Sequence, residues 1–265
     1  LGLVSDDAKY PGRYFSLQTI IGYLLHDFYD YKLKMPLFTD SSIGDGNDSN
    51  GRTGKTLFMH LVGHMVSSKV TDPTIKSYVE IGMKEFKPDD KHKFSRVSHD
   101  TQLLVLNDLK AYFNMDILYN AITDGMIVDR KNMDPFITCC KLAATSNKTV
   151  KLDGRSSTDR LVEFEFSEYF NDKHTPQQEF KQWFFRDWNT SDWNDYDRTM
   201  ISAITAFIKN DCTMQTPTQI NLNKRKLIEH TSEDSVEFIK EWEPKQDQDY
   251  DKKEYYEKFL KYYPD

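Results

Sequence analysis

The run Gly51-Arg52-Thr53-Gly54-Lys55-Thr56 constrains this chain more than any other stretch, because of what flanks it. Upstream, Met35 to Thr39 is a short apolar strand candidate, followed by a loop from Asp40 to Gly54 dense in Ser, Gly, Asp and Asn. Downstream, Leu57, Phe58, His60, Leu61, Val62 and Met65 recur at helical spacing and predict a helix over Lys55 to Ser68. A strand, a glycine-bearing loop and a helix in that order commit the chain to an α/β fold. The loop's backbone N–H groups then gather at the start of the helix.

The remaining pattern extends that fold. Leu17, Ile20, Ile21, Leu24, Leu25 and Phe28 predict an amphipathic helix over Tyr14 to Asp30. Ser77 to Glu80 and Phe94 to Val97 are weaker strand candidates, and Met115 to Thr123 reads as a helix. Gln102 to Leu106 is a short run, apolar from Leu103 onward, that ends in Asn107-Asp108, the look of a buried parallel strand carrying a polar tip. A hairpin-like stretch with the basic tip Asp129-Arg130-Lys131-Asn132 follows. Thr138 to Ala144 then predicts a second buried strand, ending in Thr145-Ser146-Asn147, and Arg160 to Phe166 alternates as a further strand. Beyond Ser167 the chain is helical and rich in Trp and Phe, with a linker expected over Thr216 to Asn223. The expected organisation is an N-terminal helical segment (1–34), a core with a central, mostly parallel sheet (35–215) and a C-terminal helical extension (216–265).

The residue types in the loop suit phosphate binding. Glycines let backbone N–H groups wrap phosphate oxygens, a lysine reaches the terminal phosphates and a hydroxyl holds Mg²⁺. Asn50, Gly51, Arg52, Thr53, Gly54, Lys55, Thr56 and Leu57 are the expected ATP contacts, with Lys55 catalytic and Thr56 on the metal. Ser49 stands where the consensus has its first glycine, and Gly51 relaxes the loop in its place. Hydrolysis also needs an acidic strand end, one carboxylate for the metal and one to polarise water. Leu103 to Asp108 supplies it in one of two ways. Either Asn107 takes the metal side and Asp108 the base position, or Asp108 alone is the metal-side acid. Asn147, at the tip of the next buried strand, is positioned to orient the attacking water.

Lys55-Thr56, the apolar run to Asp108 and Thr145-Ser146-Asn147 fall in the order of motifs A, B and C of superfamily 3 helicases. More narrowly, the chain resembles the helicase part of primase-helicases from phages and mobile elements of Bacteroidetes-like hosts, distant relatives of the poxvirus-type enzymes. The matching text is Gly51 to Phe58, Asp124-Gly125-Met126 to Lys131-Asn132, Thr158-Asp159-Arg160 to Phe166, and Trp188 to Trp193. The resemblance spans residues 15 to 210, roughly, and implies an AAA+-like P-loop ATPase working as a hexameric homo-oligomer on single-stranded DNA, with ATP and Mg²⁺ between subunits. It implies a fused or associated primase and an arginine that reaches the neighbour's site, Arg160 or alternatively Arg155. It also implies a hairpin that projects Lys131, with Arg130 beside it, toward DNA phosphates. The chain's end resembles the start of a winged-helix region.

Composition narrows the alternatives. A formal charge of −7 argues against a protein that coats nucleic acid with its whole surface, while leaving room for a local basic channel. No window approaches a membrane span, and no secretion signal is visible. Three cysteines cannot all pair internally, so reduced cytosolic thiols are expected, and the resemblance implies the cytoplasm of a bacterial host cell. The chain opens on Leu1 rather than Met and reads as a piece of something longer. His60 and His64 lie four apart but lack a third ligand, and the aromatics from Trp183 to Trp193 read as core. Against the helicase stands a nucleotide switch or assembly ATPase without unwinding, to which the neutral Asn107 would be suited. A small-molecule P-loop kinase is disfavoured, having no use for a basic hairpin.

Overall fold

The computed structural model describes residues 1–28, 33–43, 51–68, 70–72, 74–110, 113–150, 159–245 and 248–263. These fall into two units, Leu1–Ile220 and Asn221–Asp265. The first is an α/β unit built on a sheet of five parallel strands: β1 (Met35–Asp40), β2 (Tyr78–Gly82), β3 (Leu103–Leu109), β6 (Lys141–Ser146) and β7 (Leu161–Phe166). Their order across the sheet is β2-β3-β6-β1-β7. A separate antiparallel pair, β4 (Met126–Val128) and β5 (Phe136–Thr138), lies in sequence between β3 and β6.

Period-two alternation feeds two cores, one on each face of the sheet. Phe38, Leu103, Val105, Ala143, Phe164 and Phe166 share one core with α2 (Arg13–Leu25), α3 (Lys55–Ser68) and α6 (Thr190–Lys209). Leu37, Leu104, Leu106, Leu142 and Ala144 share the other with Phe86, Phe94, Phe113 and α4 (Asp116–Thr123). The helix α2 is buried on nearly all sides, not amphipathic as its spacing implied. At Gly22 a Cβ would lie 2.4 Å from Phe207 Cβ and 2.5 Å from the Ala203 carbonyl oxygen, so glycine is what lets α2 and α6 approach this closely.

Three boundaries differ from the sequence reading. α2 ends at Leu25 rather than near Asp30. The buried Lys141 ammonium takes the carbonyls of Tyr23 and His26 at 2.5 and 2.6 Å, closing off the helix's orphan acceptors with a cation. Phe94 to Val97 forms consecutive turns instead of a strand, with Val97 N–H donating to the Phe94 carbonyl at 2.9 Å. Its apolar signal reported burial alone, since Phe94 and Val97 are both core. Thr138 to Ala144 is two strands, broken at Cys139-Cys140, where the chain leaves the hairpin and enters the sheet.

In the first unit, α1 (Gly2–Ser5) and α5 (Pro176–Phe180) are short, and α5 starts on a Thr175/Gln178 capping box. The second unit holds α7 (Leu222–His230), α8 (Glu233–Trp242) and α9 (Lys252–Tyr262), with Phe238 buried among Trp242, Tyr255, Phe259 and Tyr262. No helix among the described residues is long and apolar enough to cross a membrane.

Candidate functional site

In open parallel sheets, ligands bind outside the carboxyl ends of the strands, where loops and helix N-termini converge. Asp40, Asn107, Asp108 and Asn147 lie at or just beyond those ends of β1, β3 and β6, and Lys55 opens α3.

Gly54 takes a left-handed φ of 96°, which a glycine adopts without strain, and so turns the loop into α3. Arg52 is also left-handed at 74°. Its exposed guanidinium pairs with Asp172 at 3.3 Å, and Asp172 lines a cavity of about 430 Å³ with Gly51, Thr53, Glu168, Phe170 and Asn171 among others. Leu57 joins Gly54, Phe58 and Phe170 along a smaller apolar hollow. Thr56 is exposed.

The loop's cation is not in water. Lys55 Nζ binds Asp40 Oδ1, and the Thr53 hydroxyl donates to the same oxygen; Lys55 Nζ lies 3.4 Å from Thr53 Oγ1. Asp40, Thr53 and Lys55 are 1%, 3% and 5% exposed. An ammonium and a carboxylate this far from water must be paired, since either alone would bear the full desolvation cost. Sequence reasoning missed Asp40. The available signal was an acid where the apolar strand candidate gives way to the loop.

At the tip of β3, Asn107 is engaged on both sides of its amide. Nδ2 donates to Glu80 Oε1 at 2.8 Å, and Oδ1 accepts from the Thr145 hydroxyl at 2.5 Å. Glu80 also accepts from Tyr78 Oη at 3.0 Å and meets His60 Nε2 at 3.2 Å; its negative charge pushes the Tyr78 hydroxyl pKa further up from a burial-raised value. Asp108 follows at a register shift in the β3–β6 ladder with a left-handed φ of 60°, its side chain exposed and its N–H held by Thr145 Oγ1 at 3.0 Å. Mg²⁺ prefers oxygen donors that leave room for its own waters. Thr56 and Asp108 are exposed residues that carry such oxygens, whereas the Asn107 oxygen is already committed.

Asn147 meets the loop. A Cβ built on Gly51 would lie 3.6 Å from Asn147 Nδ2 and 3.9 Å from Oδ1, so the amide of the β6 tip sits over the glycine that opens the described part of the loop. Asn50, Ser49 and Arg155 lie outside the described residues.

Arg160 is not part of this cluster. Its carbonyl accepts from Met35 N–H at 2.8 Å, at the amino end of β1, and its guanidinium lies 5.2 Å from the Tyr119 ring centroid. Met35 and Asp40 are five strand rises apart, roughly 17 Å. The hairpin also joins the amino end of the sheet, entering it at Lys141. Lys131 is exposed at its tip, but Arg130 is turned inward, donating to the carbonyls of Ser95 at 3.0 Å and Val97 at 2.5 Å and lying 5.6 Å from the Phe136 ring. His60 and His64 diverge, one to Glu80 and the other stacked on Phe185.

No family model matches the chain, and no curated protein matches it. Solved structures do. Two apo structures of the NrS-1 C-terminal region align over 88% of this chain, at 15% and 18% identity and a TM-score of 0.45 each. A JCV helicase with a bound thiazolopyridine acetamide aligns over 86%, at 12% identity and a TM-score of 0.37. The chain spans 55% and 48% of the two NrS-1 chains and 64% of the JCV one. Identities and TM-scores this low carry no function across.

Proposed function

We propose that the chain is an ATP-driven motor of the superfamily 3 helicase type, working as a ring on single-stranded DNA with Mg²⁺. The observation that supports this reading best is the convergence of Asn147 on Gly51, beside the buried Lys55 and Thr53. A phosphate-binding loop needs donors gathered at one point, and the next buried strand brings a polar side chain to that same point. In this reading Lys55 and the loop N–H groups hold the phosphates, and Thr56 with Asp108 holds Mg²⁺. The ion would supply charge neutralisation on the phosphate oxygens. Asn147 orients the attacking water. Arg160, at the far end of its own sheet, suits action on a neighbouring subunit's nucleotide. The hairpin offers Lys131 to DNA phosphates, with Arg130 holding the hairpin in place.

One observation favours the second reading, a nucleotide switch or assembly ATPase that does not unwind DNA. Asn107 spends its amide on Glu80 and Thr145, so the strand tip has a single free-standing carboxylate, Asp108. ATP hydrolysis measured with and without single-stranded DNA, together with mass by light scattering, separates the two. The helicase reading expects a nucleotide-dependent oligomer with DNA-stimulated hydrolysis. The switch reading expects slow hydrolysis indifferent to DNA, and absence of ATP binding defeats both.

A further inference from the structure

The Asp40–Lys55–Thr53 cluster bears on how nucleotide enters. We propose that Asp40 is a positioning residue that occupies the phosphate-binding donors of the loop in the nucleotide-free protein, so that a polyphosphate must displace it to bind. The inference rests on the nucleotide reading of the site and goes one step further, to what sets its affinity. A single Asp40 oxygen accepts from both the Lys55 ammonium and the Thr53 hydroxyl. These are the donor types a phosphate oxygen would recruit, and all three side chains are 5% exposed or less. The cluster thus reproduces inside the protein the anion the loop is built to hold.

Two consequences follow. First, the buried ammonium is neutralised by a counter-charge that the chain itself supplies. Second, an arriving phosphate brings negative charge beside a carboxylate that must surrender or share its cation. Like charges in a water-poor site repel strongly, so apparent affinity falls by the fraction of molecules in which Asp40 has let go. Removing the carboxylate removes the competitor but leaves the lysine.

The test compares wild type, Asp40→Asn and Asp40→Glu by calorimetric titration with ATP and with inorganic triphosphate, and by steady-state hydrolysis. Asp40→Asn should bind both ligands at least tenfold more tightly than wild type and lower KM more than it changes kcat. Its melting temperature without ligand should fall, and ligand should raise it by more than in wild type. Asp40→Glu, which keeps a carboxylate at the position, should bind more nearly as wild type does. Should Asp40→Asn prove insoluble, Asp40→Ser leaves room for water around the ammonium and should show the same tightening. Wild type that binds ATP while Asp40→Asn, or Asp40→Ser in its place, binds it equally or more weakly overturns the inference and leaves the nucleotide reading standing. Binding by none of these proteins overturns both.

Discussion

Asn107, at the tip of β3, and Glu80, in the middle of the neighbouring β2, are joined by a 2.8 Å hydrogen bond, and the Thr145 hydroxyl on Asn107 extends the link to β6. The amide is a brace across the edge of the site. Asn107→Ala should cost about 1–2 kcal/mol, lowering the melting temperature by roughly 2–8 °C for a unit of this size. Asn107→Asp should melt lower still at neutral pH, because it sets a second carboxylate against Glu80 where a donor stood. Thermal unfolding by circular dichroism checks both, and an Asn107→Asp variant as stable as wild type would contradict the brace.

Lys55→Ala should abolish nucleotide binding, and it should also unsettle the fold. Asp40 would be left buried without its cation, at a cost of about 3–5 kcal/mol. Lys55→Ala/Asp40→Ala should recover part of that loss, a coupling measurable by a double-mutant cycle in urea. Additive losses would mean the pair is not coupled.

Arg160→Ala should hydrolyse ATP about 10³-fold more slowly or worse while still binding it, if a guanidinium supplied across a subunit boundary stabilises the transferring phosphoryl group. Rings mixed from Arg160→Ala and Lys55→Ala subunits should depart from simple averaging as the ratio is varied. A strictly linear mixing curve assigns Arg160 to its own subunit or to none.

Neighbouring basic residues on the hairpin should part company. Lys131→Ala should leave stability unchanged, lose DNA stimulation and lower the slope of log affinity against log salt by about one. Arg130→Ala should cost about 1–3 kcal/mol of stability, since two carbonyls of the 94–97 turns lose their donor. Equal stability loss in the two variants would refute this division of labour.

The adjacent cysteines should differ in reactivity. Burial, reinforced by Cys139, pushes the Cys140 thiol up to about 12 from an ordinary value of 9.0. Between those values the folded protein keeps a proton that the unfolded chain releases, so stability falls as pH rises through that window. At pH 8 a maleimide should label the exposed Cys139 and spare Cys140 until the protein is denatured. Mass spectrometry of the labelled peptides decides it.

Much of this architecture was legible because burial leaves a periodic trace. The apolar runs at 35–39 and 102–106 and the helix over 55–68 lie where their patterns put them, since buried parallel strands and a helix over a sheet admit few other sequences. What could not be read was contact between distant residues. Phe94 and Val97 report that they are buried but not that they lie in turns. Lys141 sits within an apolar run, and nothing local says that it closes a helix more than a hundred residues earlier. At the site, loop and strand tips were visible as separate motifs. The acids that engage them, Asp40 and Glu80, lie on strands whose neighbours only the sheet order reveals.

Arg13 is 0% exposed, and its guanidinium reaches the carbonyls of Ser5, Glu165 and Thr218, with the Phe164 ring 4.4 Å beneath. Desolvation lowers its pKa and Glu165 opposes the shift, so the charge is held by groups drawn from three remote parts of the chain. The first unit therefore has a keystone, and a keystone makes an arch indivisible. A truncation that begins after Ser5 or stops before Thr218 should yield an aggregating polypeptide and not a smaller working core. Recombination that respects this unit is confined to its edges.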